Sequence, residues 1–394
     1  MRRRIAHLDM DAFYASVALL RYPELRGAVL VVGGRNVPAP QQQADGSWLY
    51  ARLGDYVGRG VVTTASYEAR ALGVFSAMGL MKAAQLAPHA ILLPADFNAY
   101  RYYSRLFKNA VTQVTTKIEN RGIDEIYLDL SDLPQTSLQL AQQLQKLVWD
   151  ATGLTCSIGI SPNKLLSKIA SDLNKPNGIC ILTRDDLETV IWPLSVAKVN
   201  GIGPKSQQKL NRLGLHTIGD LACVPPLVLQ QEFGLNYAQW LKEVAQGIDH
   251  RPVVLSTEPK SISRERTFER DLHVQHQRAE LTRFLESICA QLEQDLRQKA
   301  YRAHTIGIKL RFDDFSVLTR DLTLDKPVLM AADIIHAARL NLKRTQIRQR
   351  KLRLLGVRAS KLIPETECNV LDTTPQQLSL DGLFYISTKV DLMR

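Results

Sequence analysis

Over residues 1 to about 178, short apolar runs alternate with stretches of helical spacing. Ile5 to Asp11, Ala28 to Val32, Ile126 to Leu130 and Cys156 to Ile160 read as strands, and Ala12 to Leu20 opens a helix. This order predicts an α+β sheet with helices on one face. In Ser161 to Gly178 (SPNKLLSKIASDLNKPNG), Leu165, Leu166, Ile169 and Leu173 form the buried stripe of a helix. Ser161 suits its cap, Pro162 its first turn, and Pro176 and Gly178 its end. From about Ile179 to Gln246 the spacing stays helical, with Pro204 to Gly214 the clearest case, so a small helical module follows. Gly247 to Pro259 has little periodicity and reads as a linker. Beyond it, residues 305–312 and 351–358 alternate apolar with basic or polar residues, the period of strands with one buried and one cationic face. Two stretches lack any period: Val37 to Gly46, which reads as an exposed loop, and the polar chain beyond Ile363, which is expected to be loose.

Composition sets the scale of this pattern. With 394 residues and 45% hydrophobic content, the chain is long enough for two to four packed domains. No apolar run reaches eighteen residues and Met1 to Arg4 leads into a strand, so a cytoplasmic protein with no membrane partner is expected. The five cysteines are scattered, which favours neither a disulfide framework nor a zinc finger. The formal charge of +11 implies a polyanion as partner, either nucleic acid or an anionic membrane face. Its location narrows the choice: Pro259 to Lys361 holds 22 Lys and Arg against 12 Asp and Glu, nearly the whole excess. A sheet presenting Lys309, Arg311, Lys351, Arg353 and Arg358 would track a phosphate backbone without reading bases, the alternative being an ordinary solvated sheet surface.

Two acidic clusters carry the candidate chemistry. In His7-Leu8-Asp9-Met10-Asp11, strand alternation points His7, Asp9 and Asp11 to one side and Leu8 and Met10 into the core. In Gly122-Ile123-Asp124-Glu125 the two carboxylates are adjacent, so both serve one centre only if a bend aims them. Carboxylates gathered in this way repel one another unless cations lie between them, which makes a magnesium site for phosphoryl transfer the natural reading. Tyr67 and Arg70, three apart, share a helical face where Arg can clamp phosphate oxygens, although such a pair also occurs as plain surface packing. Lys175, at a helix end, is free to reach a triphosphate.

The segments HLDMDAFYASV (His7 to Val17), TTASYEAR, GIDEIYLDLSDL, SPNKLLSKIASDLNKPNG and GIGPKSQQKL together resemble the Y-family DNA polymerases, in their bacterial DNA polymerase IV branch. The match runs in order from Arg4 to about Lys361. It implies a right-hand fold: a ferredoxin-like palm (1–11 and 81–177), small fingers (12–80), a helical thumb with a helix-hairpin-helix (178–245), a linker (246–258), a βα little finger (259–361) and a tail (362–394), with the catalytic region spanning 4–182. It implies a monomer that extends primer-template DNA with dNTPs, without proofreading, in translesion synthesis. Asp9, Asp124 and Glu125 would hold two Mg2+ ions, with the Met10 carbonyl as a further ligand and Asp11 as support. Tyr14 would be the steric gate against a ribose 2′-OH, with Phe13 beside it packing in the fingers. Phe13, Tyr14, Thr64, Tyr67, Arg70 and Lys175 would line the nucleotide site. Gly201, Gly203 and Lys205, together with Arg264 and the five strand cations named above, would contact DNA.

Three departures from the family pattern stand out. Ala18 replaces an acidic residue and Gly122 a serine, and neither removes a ligand. The stretch from about Asn36 to Val57 lengthens a fingers loop. Its Trp48, Tyr50 and Tyr56 either stack on bases or anchor the loop, and the loop is expected to modulate access to the templating base. In the tail, Gln376 to Phe384 resembles a sliding-clamp docking peptide through Gln377, Leu378 and Leu380, although Asp381 occupies the usual aromatic position. Two rivals share parts of the pattern: a catalytically silent DNA-binding repair scaffold, and a metal-dependent nuclease that would not need Tyr14.

Overall fold

The structure is a computed structural model describing residues 3–34, 36–256 and 258–367. The chain divides into two compact units, residues 1–257 and 258–394.

At the centre of the first unit lies a five-stranded sheet in the order Ile179–Ile181, Cys156–Ser161, Ile5–Met10, Glu125–Asp129, Ile118–Asn120. Ile5–Met10 is its middle strand, antiparallel to both neighbours, with Asp9 opposite Glu125 on one side and Ser157 on the other. Ala6, Leu8 and Met10 bury into a core shared with helices Phe13–Arg21, Phe97–Val111 and Ser137–Thr152. The opposite face, carrying His7 and Asp9, is not bare. Helix Lys164–Leu173 lies against it so closely that a Cβ on Gly159 would stand 2.2 Å from the Ser167 carbonyl and 2.3 Å from the Ser171 nitrogen. The expectation of helices on one face is therefore corrected: the sheet is covered on both. The cap of this helix is corrected too. Ser161 ends a strand, and Asn163 is the cap, its Oδ1 accepting from the Leu166 N–H at 2.9 Å.

A second sheet, in the order Ala51–Arg52, Ile91–Leu93, Leu30–Gly33, Val62–Ala65, has its own core around Val31, Leu53, Leu80 and Leu92. Residues 37–46 are not wholly irregular, since Gln41–Gln42 pairs with Trp48–Leu49 as a small exposed hairpin. The aromatic residues anchor this insertion. The Trp48 and Tyr50 rings meet Tyr22 edge-on, the Tyr50 hydroxyl donates to Glu24, and the Tyr56 hydroxyl accepts from the Gly60 N–H. Four helices, Pro204–Arg212, Ile218–Cys223, Pro226–Phe233 and Leu235–Ala245, pack with residues of Lys164–Leu173 into a further core.

Most of the aperiodic stretch after Gln246 is built into this first unit. Asn163 Nδ2 donates to the Gly247 carbonyl, the Leu165 N–H donates to Asp249, and the Val254 N–H donates to Glu119. Glu119 is itself paired at 2.6 Å with Lys164, both side chains being about 5% exposed. Lack of periodicity here reflects capping and ion pairing by single residues, not looseness.

The second unit is a four-stranded antiparallel sheet, Ser261–His273, Lys351–Pro364, Tyr301–Phe312, Val317–Val328, packed against helices Arg278–Gln298 and Ala331–Lys343. Ile306, Ile308, Leu310 and Phe312 face the helices with Leu352, Leu355, Val357 and Ala359. Among the described residues, no helix is long and apolar enough to cross a membrane.

Candidate active site

Strand Ile5–Met10 ends where Ala12 takes a left-handed backbone, φ 40°, and turns the chain into helix Phe13–Arg21. Asp11 sits at that corner, 2% exposed. One of its carboxylate oxygens accepts from Ser157 Oγ at 2.7 Å and from the Tyr67 hydroxyl at 3.5 Å, and the other accepts from the Asn177 N–H at 2.8 Å. Its acceptors are thus taken up by protein donors, and Asp11 ties three segments together.

Asp9 and Glu125 meet across the two neighbouring strands, and ligand atoms of His7, Asp9 and Glu125 lie within 4.8 Å of one another. A tight turn supplies the bend that the adjacent pair requires: the N–H groups of Arg121 and Gly122 donate to the Glu125 carbonyl, and the Met10 N–H donates to the Asp124 carbonyl at 3.0 Å. Burial raises the Asp124 carboxyl above its ordinary range, and the charge on Asp9 adds to the effect. Glu125 goes the other way, to about 2, through its hydrogen bond with His7 and the ammonium of Lys168. Lys168 Nζ stands 2.5 Å from Glu125 and Lys175 Nζ 2.6 Å from Asp9. His7 is fully buried, bonded to Ser171 Oγ at 2.8 Å, and burial keeps its imidazole neutral below the usual histidine range.

Lys175 is therefore not free, as the sequence led one to expect. It is paired with Asp9 and Asp172; burial opposes its charge, and the two carboxylates more than offset this. The Arg70 guanidinium lies 4.9 Å from the Tyr67 ring centre and its Nε donates to the Ala65 carbonyl, so the two share a face as their spacing implied. Burial, reinforced by Asp11, pushes the Tyr67 hydroxyl to about 12. Thr64 is buried in strand Val62–Ala65.

Tyr14 is half-buried, and burial raises its hydroxyl above the usual tyrosine range, with the charge of Asp124 adding to the effect. Phe13 is corrected. It is 3% exposed and packs against Tyr100 and Phe107 of helix Phe97–Val111, outside the fingers segment where it was expected to pack. Sequence reasoning gave no role to Lys168, Tyr100 or Phe97. Lys168 lies four residues after Lys164 on one amphipathic helix and seven before Lys175, just past its end, and that spacing was the available signal.

Gly201 has φ 112°, and a Cβ there would stand 2.9 Å from the Trp240 ring. Gly203 is the N-cap of helix Pro204–Arg212, with Lys205 exposed in its first turn. In the second unit, register and alternation place Lys309, Arg311 and Arg358 on the sheet face away from the helices, together with Glu265 and Asp321. Lys309 pairs with Glu265 at 2.7 Å and Arg358 with Asp321 at 2.9 Å, so this face is less cationic than its basic residues alone imply. Arg353 lies at a break in register with its guanidinium over Phe315, and Lys351 is exposed. Arg264 lies apart from these cations, on the helix side of the sheet, where Asp295 holds it in a bidentate pair. The clamp-like residues Gln377, Leu378 and Leu380 lie outside the described residues.

The impB/mucB/samB family pattern matches residues 8–172, its C-terminal domain matches 259–380, and the thumb domain of DNA polymerase-iota matches 198–249. A DNA polymerase IV of Alkalilimnicola ehrlichii is 36% identical over 368 residues, covering 93% of this chain and 97% of that protein. DNA polymerase IV of Halorhodospira halophila is 38% identical, covering 92% and 96%, and DNA polymerase IV 1 of Bacillus subtilis is 35% identical, covering 93% and 83%. Among solved structures, a Y-family DNA polymerase chimera of Dbh and Dpo4 matches with a TM-score of 0.76 at 25% identity, over 92% of this chain and 99% of that one. An insertion ternary complex of Dbh DNA polymerase matches over the same shares, with a TM-score of 0.62 at 25% identity.

Proposed function

This chain belongs to the Y family of DNA polymerases, in the DNA polymerase IV branch, and from that premise we propose that Asp9, Asp124 and Glu125 are the centre of its templated nucleotidyl transfer in translesion synthesis. One observation carries the assignment. Across two paired strands Asp9 and Glu125 meet, each held by a lysine, and the adjoining Asp124, whose carbonyl accepts from the Met10 N–H, has a carboxyl raised by burial and by the charge of Asp9. This is a set of hard oxygen donors short of positive charge, which fits Mg2+. Asp9, Asp124 and Glu125, with the Met10 carbonyl, would hold two Mg2+ ions, which when bound supply a lowered pKa at the primer hydroxyl and charge neutralisation on the triphosphate.

The chain's own residues do the rest. Lys168 and His7 keep Glu125 ionised and oriented. Lys175, at the end of its helix, exchanges Asp9 for triphosphate oxygens, which Tyr67, Arg70 and Thr64 help to hold. Tyr14 excludes the ribose 2′-OH, and Asp11 fixes the corner that aims it. Residues 1–11 and 81–177 serve as palm, 12–80 as fingers, 178–245 as thumb and 259–361 as little finger. Gly201, Gly203, Lys205 and the open-face cations contact DNA backbone. The inserted hairpin modulates access to the templating base, and deleting Pro38 to Gly46 is expected to alter the mismatch spectrum. A monomer tethered through Gln377, Leu378 and Leu380 to a sliding clamp completes the reading, with Leu378→Ala plus Leu380→Ala expected to abolish pull-down by the clamp.

Primer extension on a defined template with Mg2+ and single dNTPs tests the centre. Asp124→Ala and Glu125→Ala should each lose extension by at least about a thousandfold while still binding DNA. Retained extension in either variant would move the centre elsewhere, and primer shortening by the native protein would indicate a nuclease.

A further inference from the structure

A steric gate rejects one hydroxyl group only if its ring cannot yield, so what stands behind the ring matters as much as the ring. Tyr14 lies in the first turn of a helix whose N-terminus has no side-chain cap. Its own element therefore does little to hold it. The Tyr100 ring lies almost flat against it, centroids 4.1 Å apart and planes 25° apart, and Phe97 meets it edge-on at 6.0 Å. Tyr100 is 2% exposed and is confined in turn by Phe13 at 6.3 Å and Phe97 at 5.6 Å. Its place is set by Asp96, which caps helix Phe97–Val111 by accepting from the N–H groups of Asn98 and Ala99. The backing thus comes from a segment more than eighty residues away in sequence, whose helix has its own cap in Asp96.

We propose that Tyr100 is a specificity-determining positioning residue, the backstop that keeps Tyr14 from yielding to a ribonucleoside triphosphate. Phe97 assists from the rim. The inference rests on the reading of Tyr14 as the gate, and the experiment separates the two. Single-nucleotide insertion is measured with a dNTP and its matching rNTP, and the ratio of the two kcat/KM values is the readout.

Tyr14→Ala should bring the ratio close to parity; a native-like ratio in that variant removes the gate reading and this inference with it. With the gate established, Tyr100→Leu should lower the ratio by at least about tenfold, through faster ribonucleotide insertion, and Tyr100→Phe should keep it within about twofold of native because the stack survives. A native ratio in Tyr100→Leu, or a fall caused only by slower dNTP insertion, overturns the proposal. Should Tyr100→Leu fail to fold, Phe97→Leu decides. That side chain is 49% exposed, so its truncation leaves the core intact, and it should lower the ratio by about threefold; an unchanged ratio there overturns the proposal.

Discussion

At the scale of single residues, the site is a balance of buried charge. Glu125 is held to about 2 against an ordinary value of 4.5, and His7 is lowered from 6.5. Both groups bind fewer protons folded than unfolded, so the stability they contribute is complete above about pH 6.5 and is lost as pH falls through their folded values. Thermal melting of the metal-free protein should therefore fall in two stages on acidification, first below pH 6.5 as His7 is forced to take up a proton and become charged, and then below 4.5 as Glu125 is forced to take up a proton and lose its charge. His7→Gln should erase the first stage and leave the second. The carboxylates themselves were readable from strand alternation and from two acidic pairs a hundred residues apart. Lys168 was not, because a lysine on an amphipathic helix looks the same whether it meets water or a carboxylate across a sheet. Tyr100 was hidden for a similar reason, since an aromatic residue at helical spacing reads as ordinary core.

Among the elements, the segment from Gly247 to Val254 shows where pattern reading stops. Its course is dictated by single bonds to Asn163, Leu165 and Glu119, and such bonds have no period. The buried Glu119–Lys164 pair is the strongest of these anchors. Glu119→Ala would leave Lys164 charged and unpaired among buried groups, and unfolding in denaturant should register a loss of roughly 3–5 kcal/mol. Changing both partners to apolar residues, Glu119→Leu with Lys164→Met, should recover much of it, because no orphan charge remains. The same blindness misplaced the cap of the following helix: Ser161 and Asn163 are both competent caps, and only the length of strand Cys156–Ser161 decides between them.

For the whole molecule, the charge surplus of residues 259–361 was plain in the sequence, but its distribution over the two faces was not. Cross-strand register puts Glu265 beside Lys309 and Asp321 beside Arg358, and sends Arg264 to the helices. Exposed pairs of this kind add little stability, so their effect is on binding. Glu265→Ala and Asp321→Ala should each tighten DNA binding and steepen its salt dependence by about one unit of log–log slope, as a freed cation displaces one more counterion. Fluorescence anisotropy titrations at several salt concentrations measure this directly, and an unchanged slope would mean that the face does not meet phosphate.

Gly159 links these scales. The absent side chain lets helix Lys164–Leu173 settle onto the sheet, and that same helix carries Lys168, Ser171 and, just past its end, Lys175. The spacing of two ammonium groups from two carboxylates is thus governed by one mechanical coordinate, the height of a single helix above a single strand. A methyl group at residue 159 would act as a shim, lifting both cations off their partners at once, so the tolerance to which the centre is machined is set by an atom that is missing.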